Sequence, residues 1–138
     1  MRLYKIKLLV FGGRDFTNRE YGYKCLDHML QNYKPCEVLI VQGDALGADA
    51  VGLQYAIDRG IDHEDFPADW DNLDVERCVV KHNRYGKPYN AIAGHNRNED
   101  MGNMATHGIG FWDGKSTGTK HMKTYLEKLN KPVKVFKY

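Results

Sequence analysis

The sequence lacks the features that mark several common classes of protein. No apolar run approaches the roughly 18 residues that a membrane helix needs, and the first residues alternate apolar and basic instead of forming a signal peptide. The cysteines, Cys25, Cys36 and Cys78, have no CxxC spacing, and no HExxH pattern occurs. We therefore expect reduced thiols in a cytoplasmic protein, with no disulfide and no metal site.

A clustered positive charge is also missing. Lys and Arg number 20 against 18 Asp and Glu, the formal net charge is +2, and the basic residues are scattered. Domains that follow a phosphate backbone present a clustered basic face, so the sequence argues against nucleic acid as a partner. The chain has 138 residues with 42% hydrophobic and 28% charged composition. This fits one globular domain over residues 1–138.

Short apolar runs alternate with helical patterns along the chain. The runs predict five strands, at 7–11, 38–41, 63–66, 107–112 and 132–136. Helical spacing predicts helices at 21–33, 48–59, 96–106 and 119–130, with Gly60 ending the second. The polar segment 71–92 shows no clear pattern.

This alternation predicts a Rossmann-like α/β fold, a doubly wound, mainly parallel sheet with helices on both faces. We expect the strand order 3-2-1-4-5, which reverses between strands one and four. Ligands of such sheets bind outside the carboxyl ends of the strands at the reversal. The rule selects the loop after strand one, residues 12–15, and the loop after strand four, residues 113–119.

The loop after strand four has the composition of an anion site. It combines glycines, hydroxyls and one cation in Asp113, Gly114, Lys115, Ser116, Thr117, Gly118 and Thr119. Glycines let a ligand approach the backbone, and the helix that follows presents free N–H groups and the positive end of its dipole. The alternative is that these residues form only a turn and a helix cap.

Further candidate residues lie at the same predicted edge of the sheet. They are Gly12, Gly13, Arg14, Asp15, Gly43, Asp44, Gly47, Ala48, Asp49, Trp70, Arg97 and Asn98. Arg14 can fork onto a phosphate, and Arg97 either meets the phosphate or is an ordinary surface arginine. Asp15 either accepts ribose hydroxyls or caps a helix, and Asp49 is either near the ligand or a solvated cap. Trp70 either borders the pocket or packs in the core.

Taken in order, these motifs resemble a known family. The segments GGRDF at 12–16, GDALGAD at 43–49, PADW at 67–70, AGHNRN at 93–98 and FWDGKSTGT at 111–119 are similar to the YspA-like branch of the SLOG superfamily. The resemblance runs from about residue 7 to 136. It implies a Rossmann-like fold and a nucleotide or NAD-derived ligand. The superfamily includes lonely-guy phosphoribohydrolases, which cleave the N-glycosidic bond of nucleoside monophosphates, and nucleotide-sensing domains of bacterial stress and phage-conflict systems.

Two departures from the family pattern bear on function. The phosphoribohydrolases carry a PGGxGTxxE loop, and Gly118 and Thr119 match its GT, but Met122 stands at the position of the glutamate. A thioether cannot exchange protons, so that mechanism does not carry over. The family segment before the Ala-Gly pair is short, whereas this chain has residues 71–92 there. We expect a lid, an oligomer contact or a mobile loop.

Three hypotheses follow. The first is a sensor or ligand-binding domain that holds a small-molecule nucleotide between Arg14, Arg97 and residues 116–119, in a homo-oligomer. The second is a hydrolase of a glycosidic or phosphate bond. Its candidate catalytic carboxylates are Asp15, Asp44, Asp49 and Asp113, and we expect Asp113 or Asp44 to act. The third is an interaction or inhibitor protein on the same scaffold, favoured if side chains fill the predicted pocket.

Overall fold

The computed structural model describes residues 3–75 and 77–138, so Met1, Arg2 and Glu76 lie outside the described residues. The elements in chain order are β1 (Ile6–Gly12), α1 (Arg19–Leu30), β2 (Val38–Gln42), α2 (Ala48–Arg59), β3 (Asp62–Asp65), β4 (Val80–His82), β5 (Pro88–Asn90), α3 (Ala93–Met104), β6 (His107–Trp112), α4 (Thr117–Lys128) and β7 (Val133–Lys137). A short 3-10 helix, Pro35–Glu37, precedes β2. Across the described residues, no helix is both long and apolar enough to cross a bilayer. The three cysteines are free thiols.

The main sheet confirms the predicted fold class and order. Five parallel strands run in the order β3-β2-β1-β6-β7, so β6 and β7 are the predicted fourth and fifth strands. In the register, Leu8 of β1 stands opposite Ile40 of β2, and Val10 stands opposite Ile109 of β6. The strand order therefore reverses between β1 and β6, which places the carboxyl ends of these two strands at the expected ligand edge.

Helices cover the sheet on both faces. Successive side chains of β1 point to opposite faces, so each face carries apolar side chains that a helical layer must bury. Leu8 and Val10 pack with α1 and α2, while Leu9 belongs to a second cluster that includes Met101 of α3 and Leu126 of α4. The side chains of Leu8, Leu9 and Val10 are fully buried. Each such burial contributes roughly 1.5–3 kcal/mol, so the central strand is a main source of stability.

Helix boundaries follow their caps. Helix α2 has the predicted bounds because Gly60 ends it in the left-handed conformation, at φ 65. Helix α4 begins at Thr117 rather than at Thr119, since the Ser116 side chain caps it. Helix α1 begins at Arg19 rather than at Tyr21, because Asn18 accepts a hydrogen bond from the Tyr21 backbone.

Residues 71–92 contain regular structure that the sequence does not predict. Strands β4 and β5 pair antiparallel, with Val80 opposite Asn90 and Lys81 opposite Tyr89, in a separate two-stranded sheet. The expectation of a plain mobile loop is therefore wrong for the paired residues. Whether the segment acts as a lid or as an oligomer contact stays a prediction.

Candidate functional site

The loops after β1, β2 and β6 meet the start of α3 and the start of α4 around an open pocket at the carboxyl edge of the sheet. This pocket, called here the first pocket, has a volume of about 460 Å³. It is lined by Phe11, Gly12, Gly13, Arg14, Asp15, Ala45, Asp49, Arg97, Asn98, Met101, Asp113, Ser116, Gly118, Thr119 and Met122. Because the pocket is open, the condition that would favour an interaction or inhibitor protein is not met.

The loops after β1 and β2 are held against each other. The Gly13 backbone N–H donates to Phe111 O at 3.0 Å, and the Gly13 carbonyl accepts from the Ala48 N–H at 3.1 Å. Gly47 adopts φ 78, and a Cβ there would collide with the backbone of Gly13 and Arg14. Only glycine tolerates both conditions, so the GDALGAD segment fixes the position of the Arg14 loop.

The start of α4 is built to receive an anion. The Asp113 carboxylate accepts from the backbone N–H groups of Lys115 and Ser116, both at 2.8 Å, which closes the turn before the helix. The Ser116 hydroxyl oxygen accepts from Thr119 N at 3.4 Å. No atom lies within 4 Å of where a Cβ of Gly118 would be, so the first helical turn faces open space. Free N–H groups and the helix dipole at such an end favour a phosphate.

The side chains of Arg97 and Asp49 both hydrogen-bond to the Gly43 backbone. Nη1 of Arg97 donates to the Gly43 carbonyl at 2.6 Å, and the Gly43 N–H donates to Oδ2 of Asp49 at 3.1 Å. A Cβ on Gly43 would lie only 2.8 Å from both side chains, which explains the glycine at this position. Arg97 is thus held by the protein and is not an ordinary surface arginine.

Asp49 is buried, with 7% of its surface exposed, so it is not a solvated cap. Burial raises the pKa of its carboxyl to about 6, against the opposing effects of Arg97, the Ala45 and Gly43 N–H groups and Arg14. Burial also lowers the pKa of Arg97, but a guanidinium remains charged near neutral pH. The first pocket therefore contains a carboxyl that titrates close to neutral pH beside a permanent cation.

Asp15 is held by a residue that the sequence did not indicate. The Tyr138 hydroxyl donates to Oδ1 of Asp15 at 2.5 Å, across the Gly13 backbone. Asp15 does not cap α1, because Asn18 does so. No local signal identifies Tyr138, since it follows the edge strand β7 and is brought to Asp15 only through the parallel pairing of β6 with β7.

A second pocket of about 520 Å³ adjoins the first. It is lined by Arg14, Gln42, Gly43, Asp44, Ala45, Leu46, Ala50, Leu53, Pro67, Ala68, Trp70 and Arg97. Arg14, Ala45 and Arg97 line both pockets. Trp70 is 41% exposed and Leu46 is 75% exposed, so the second pocket offers an aromatic face and apolar surface beside the two arginines.

Most of the predicted site residues line one of the two pockets. The predicted residues outside both linings are Gly47, Ala48, Gly114, Lys115 and Thr117. Sequence reasoning missed the apolar floor made by Phe11, Met101 and Met122. Their signal was ambiguous, because each also belongs to the apolar core on that face of the sheet.

Three of the four carboxylates named for the hydrolase hypothesis differ in environment. Backbone hydrogen bonds from Lys115 and Ser116 lower the pKa of Asp113, so this group holds no proton near neutral pH. Asp44 has a left-handed backbone, at φ 57, and its N–H donates to the buried Gln42 side chain. Burial raises the pKa of Asp49. A catalytic role for Asp113 or Asp44 stays a prediction.

A larger concavity, of about 1030 Å³, lies at the opposite end of the sheet beside β3. Its lining combines Lys7 and His63 with the carboxylates of Asp62 and Glu64, and among the described residues it has no arginine and no helix start that faces it with glycines and hydroxyls. The two smaller pockets at the carboxyl edge therefore have the better chemistry for an anionic ligand.

The model of the YspA, cpYpsA-related SLOG family matches residues 6–72. The matched segment includes the loops after β1 and β2 and Trp70. Over these residues the chain is similar to this SLOG family. The resemblance drawn from the motifs is thereby confirmed. A search of curated proteins gives no match.

Two solved structures share the fold of this chain. DNA processing protein A from Streptococcus pneumoniae superposes with a TM-score of 0.67 at 16% identity, over 96% of this chain and 50% of its own. DNA processing protein A from Helicobacter pylori, which has a single-stranded DNA binding mode, superposes with a TM-score of 0.62 at 16% identity. The superposition covers 96% of this chain and 65% of the Helicobacter pylori chain. The chain thus spans half to just under two thirds of these proteins.

These neighbours correct the expected partner. The loop motifs led to a small-molecule nucleotide as the expected partner, and the low net charge argued against nucleic acid; that expectation is wrong. A protein with this fold, the Helicobacter pylori neighbour, binds single-stranded DNA. The physical reason is that single strands are held by base stacking and a few local cations, so the net charge of a whole chain does not decide the question.

Proposed function

We propose that the carboxyl edge of the sheet binds single-stranded DNA. The observation that carries the proposal is that two adjoining pockets share Arg14 and Arg97. In the first pocket, a backbone phosphate of the strand meets these two arginines and the start of α4. In the second pocket, the neighbouring base stacks on the exposed face of Trp70.

The chemistry of the two pockets matches the two halves of a nucleotide unit. Guanidinium groups and the N–H groups of a helix start are the standard ligands of a phosphate. An exposed aromatic ring accepts any base by stacking, which is sequence-tolerant and worth about 1–3 kcal/mol per base. Arg14 is exposed and close to both pockets, so it is free to turn toward the strand.

The test is fluorescence anisotropy with labelled oligothymidine of about 12 nucleotides, a length within the range of single-strand sites. Arg14→Ala removes an exposed guanidinium, and losing a charged hydrogen bond of 1.5–3 kcal/mol weakens binding by about tenfold or more. Trp70→Ala weakens it about fivefold or more, and Trp70→Phe retains most of the affinity.

The matched control is Lys128→Ala, which removes an exposed cation from the last turn of α4, far from the carboxyl edge. We expect no change from it. Equal weakening by Lys128→Ala and Arg14→Ala would contradict the proposal, because binding would then depend on charge alone. So would equal affinity for duplex DNA of the same sequence length, in which the bases cannot stack on Trp70.

A second candidate function is hydrolysis of a glycosidic bond in the bound nucleotide, and the raised pKa of Asp49 favours it. A carboxyl with a pKa of about 6 retains enough proton near neutral pH to act as a general acid. Asp49 would donate this proton to the leaving base as the bond from the base to the sugar carbon breaks. Water would add to that carbon, and the proton that this water loses would return the Asp49 carboxylate to its protonated form. Release of free base from an oligonucleotide, lost in Asp49→Asn with binding retained, supports it, and no release by the wild type excludes it.

A further inference from the structure

The hairpin of β4 and β5 stands outside both pockets, and the proposed function does not use it. Its two strands pair through Val80, Lys81 and His82 with Asn90, Tyr89 and Pro88. The turn between them is closed by Asn83, whose side-chain oxygen accepts from the backbone N–H groups of Tyr85 and Lys87, at 2.8 and 3.1 Å. The hairpin therefore has a defined tip.

The base of the hairpin is fixed to the body of the protein. Asn90 is 1% exposed, its side-chain oxygen accepts from Val79 N and Ile92 N at 3.3 and 3.2 Å, and its side-chain amide donates to the Arg77 carbonyl at 3.3 Å. The Arg77 side chain in turn donates to Glu99 of α3 at 2.6 Å. Because α3 also carries Arg97, the hairpin and the first pocket share one support.

The surface of the hairpin is basic and aromatic. Between Val80 and Asn90 the sequence has three Lys or Arg residues, Lys81, Arg84 and Lys87, and no Asp or Glu. All residues from 80 to 88 are exposed, and Tyr85 is exposed over 79% of its surface. The Arg84 guanidinium lies 4.9 Å from the centre of the Tyr85 ring. Such an exposed tyrosine has no packing role, and it stands beside a cation at the tip.

The hairpin contacts Trp70, which lines the second pocket. The Trp70 ring meets the Tyr89 ring edge to face at 6.4 Å, and the Trp70 carbonyl accepts from Asn90 N at 2.6 Å. A third pocket, of about 420 Å³, is lined by both Arg97 and Asn90. The hairpin is thus continuous with the surface on which the base is proposed to stack.

From these observations we propose that the β4–β5 hairpin is a second contact surface for the same single strand, beyond the nucleotide held in the two pockets. This proposal rests on the proposed function. The cations Lys81 and Arg84 meet phosphates, and the Tyr85 ring stacks on a base, the combination by which proteins hold single strands. At about 3.3 Å per residue the tip extends roughly 13 Å from the base of the hairpin, so a strand must exceed a few nucleotides to reach it.

The test compares two probes, a 5′-phosphorylated thymidine trinucleotide and oligothymidine of about 12 nucleotides. The double variant Lys81→Gln, Arg84→Gln should weaken binding of the long strand only. Each single-strand phosphate contact contributes about 0.7 to the slope of log affinity against log salt, so the slope should fall by about 1.4. Tyr85→Leu should weaken the long strand about fivefold or more, and Tyr85→Phe should not.

The matched control is Lys24→Gln, Lys128→Gln, which removes two exposed cations elsewhere and should leave the salt slope unchanged. An unchanged slope and affinity in the hairpin variant would overturn the proposal, and so would equal losses for both probes. Binding of the hairpin to anionic phosphatidylserine vesicles, with the long strand unaffected, would also overturn it. Measuring the affinity for oligouridine RNA of the same length shows whether binding depends on the sugar. Tighter binding of RNA than of DNA would overturn the assignment to DNA.

The two proposals fail differently. Arg14→Ala should weaken both probes, because the first pocket is used by strands of any length. If Arg14→Ala is silent while the hairpin variant weakens the long strand, the hairpin proposal stands and the pocket proposal fails. If Arg14→Ala weakens both probes and the hairpin variant changes neither, only the hairpin proposal fails.

Discussion

The buried carboxyl of Asp49 should make the stability of the protein fall as the pH rises toward neutrality. Burial raises the pKa of Asp49 from its ordinary 3.8 to about 6, although Arg97 and two backbone N–H groups stabilise the ionised form. In the pH range between these values, the folded protein keeps a proton that the unfolded chain has released. The contribution of Asp49 to the free energy of unfolding is therefore most favourable below about pH 4. This contribution decreases as the pH rises from about 4 to about 6.

The magnitude follows from the same two values. One pKa unit corresponds to 1.36 kcal/mol, so a shift of about two units corresponds to about 3 kcal/mol of unfolding free energy. Asp49→Asn preserves the shape of the side chain and an oxygen that accepts from the Gly43 and Ala45 N–H groups. It carries no charge, so its stability should lack this decrease.

The assay is denaturant unfolding of wild type and Asp49→Asn across the range from about pH 4 to 8. The quantity of interest is the difference in unfolding free energy between the two proteins, because the lowered pKa values of Asp27 and Asp58 affect both equally. We expect wild type to lose about 3 kcal/mol relative to the variant as the pH rises through about 6. A flat difference would refute the reasoning, and a difference of opposite sign would mean that pairing with Arg97 outweighs burial.

Three further changes test the local structure. Met122→Glu should lower the free energy of unfolding by roughly 3 kcal/mol or more rather than restore a catalytic carboxylate, because Met122 is 1% exposed in an apolar cluster. Thermal melting measures this loss, and Met122→Leu is the control. Gly47→Ala should cost roughly 1–3 kcal/mol, because φ 78 and the contact with Gly13 leave no room for a Cβ; an unchanged melting temperature would contradict this. Asn90→Ala should expose residues 77–92 to limited proteolysis while the core stays intact, and protection equal to wild type would show that the hairpin does not depend on these hydrogen bonds.

Local patterns were sufficient to predict the main sheet. The continuous apolar runs around Val10 and Ile40 indicate strands buried on both faces, and Gly60 ends α2 where predicted. The hairpin could not be predicted in this way, because its strands are three residues long and almost wholly exposed. Its stability comes from Asn90, whose partners lie at Val79 and Arg77 and are set by the folded chain.

The position of the site was predictable, but the state of Asp49 was not. The rule that ligands bind at the strand-order reversal needs only the order of the strands, and it selected the loops that line the first pocket. By contrast, an aspartate in a first helical turn looks like a solvated cap in any sequence. Its burial arises because the loop after β2 folds over it, which depends on the left-handed backbone of Gly47 and on its contact with the Arg14 loop.

The protonation of Asp49 also sets the charge that the first pocket presents to a phosphate. When Asp49 is protonated, it adds no negative charge to the lining that Arg14 and Arg97 share with the carboxylates of Asp15 and Asp113. When it is ionised, its carboxylate offsets one of the two arginine charges. A bound phosphate adds a negative charge near Asp49 and so favours its protonated form. If the first pocket binds the strand as proposed, linkage predicts that binding takes up a proton and weakens as the pH rises through about 6. One buried carboxyl would then couple the stability of the fold to the affinity of the site.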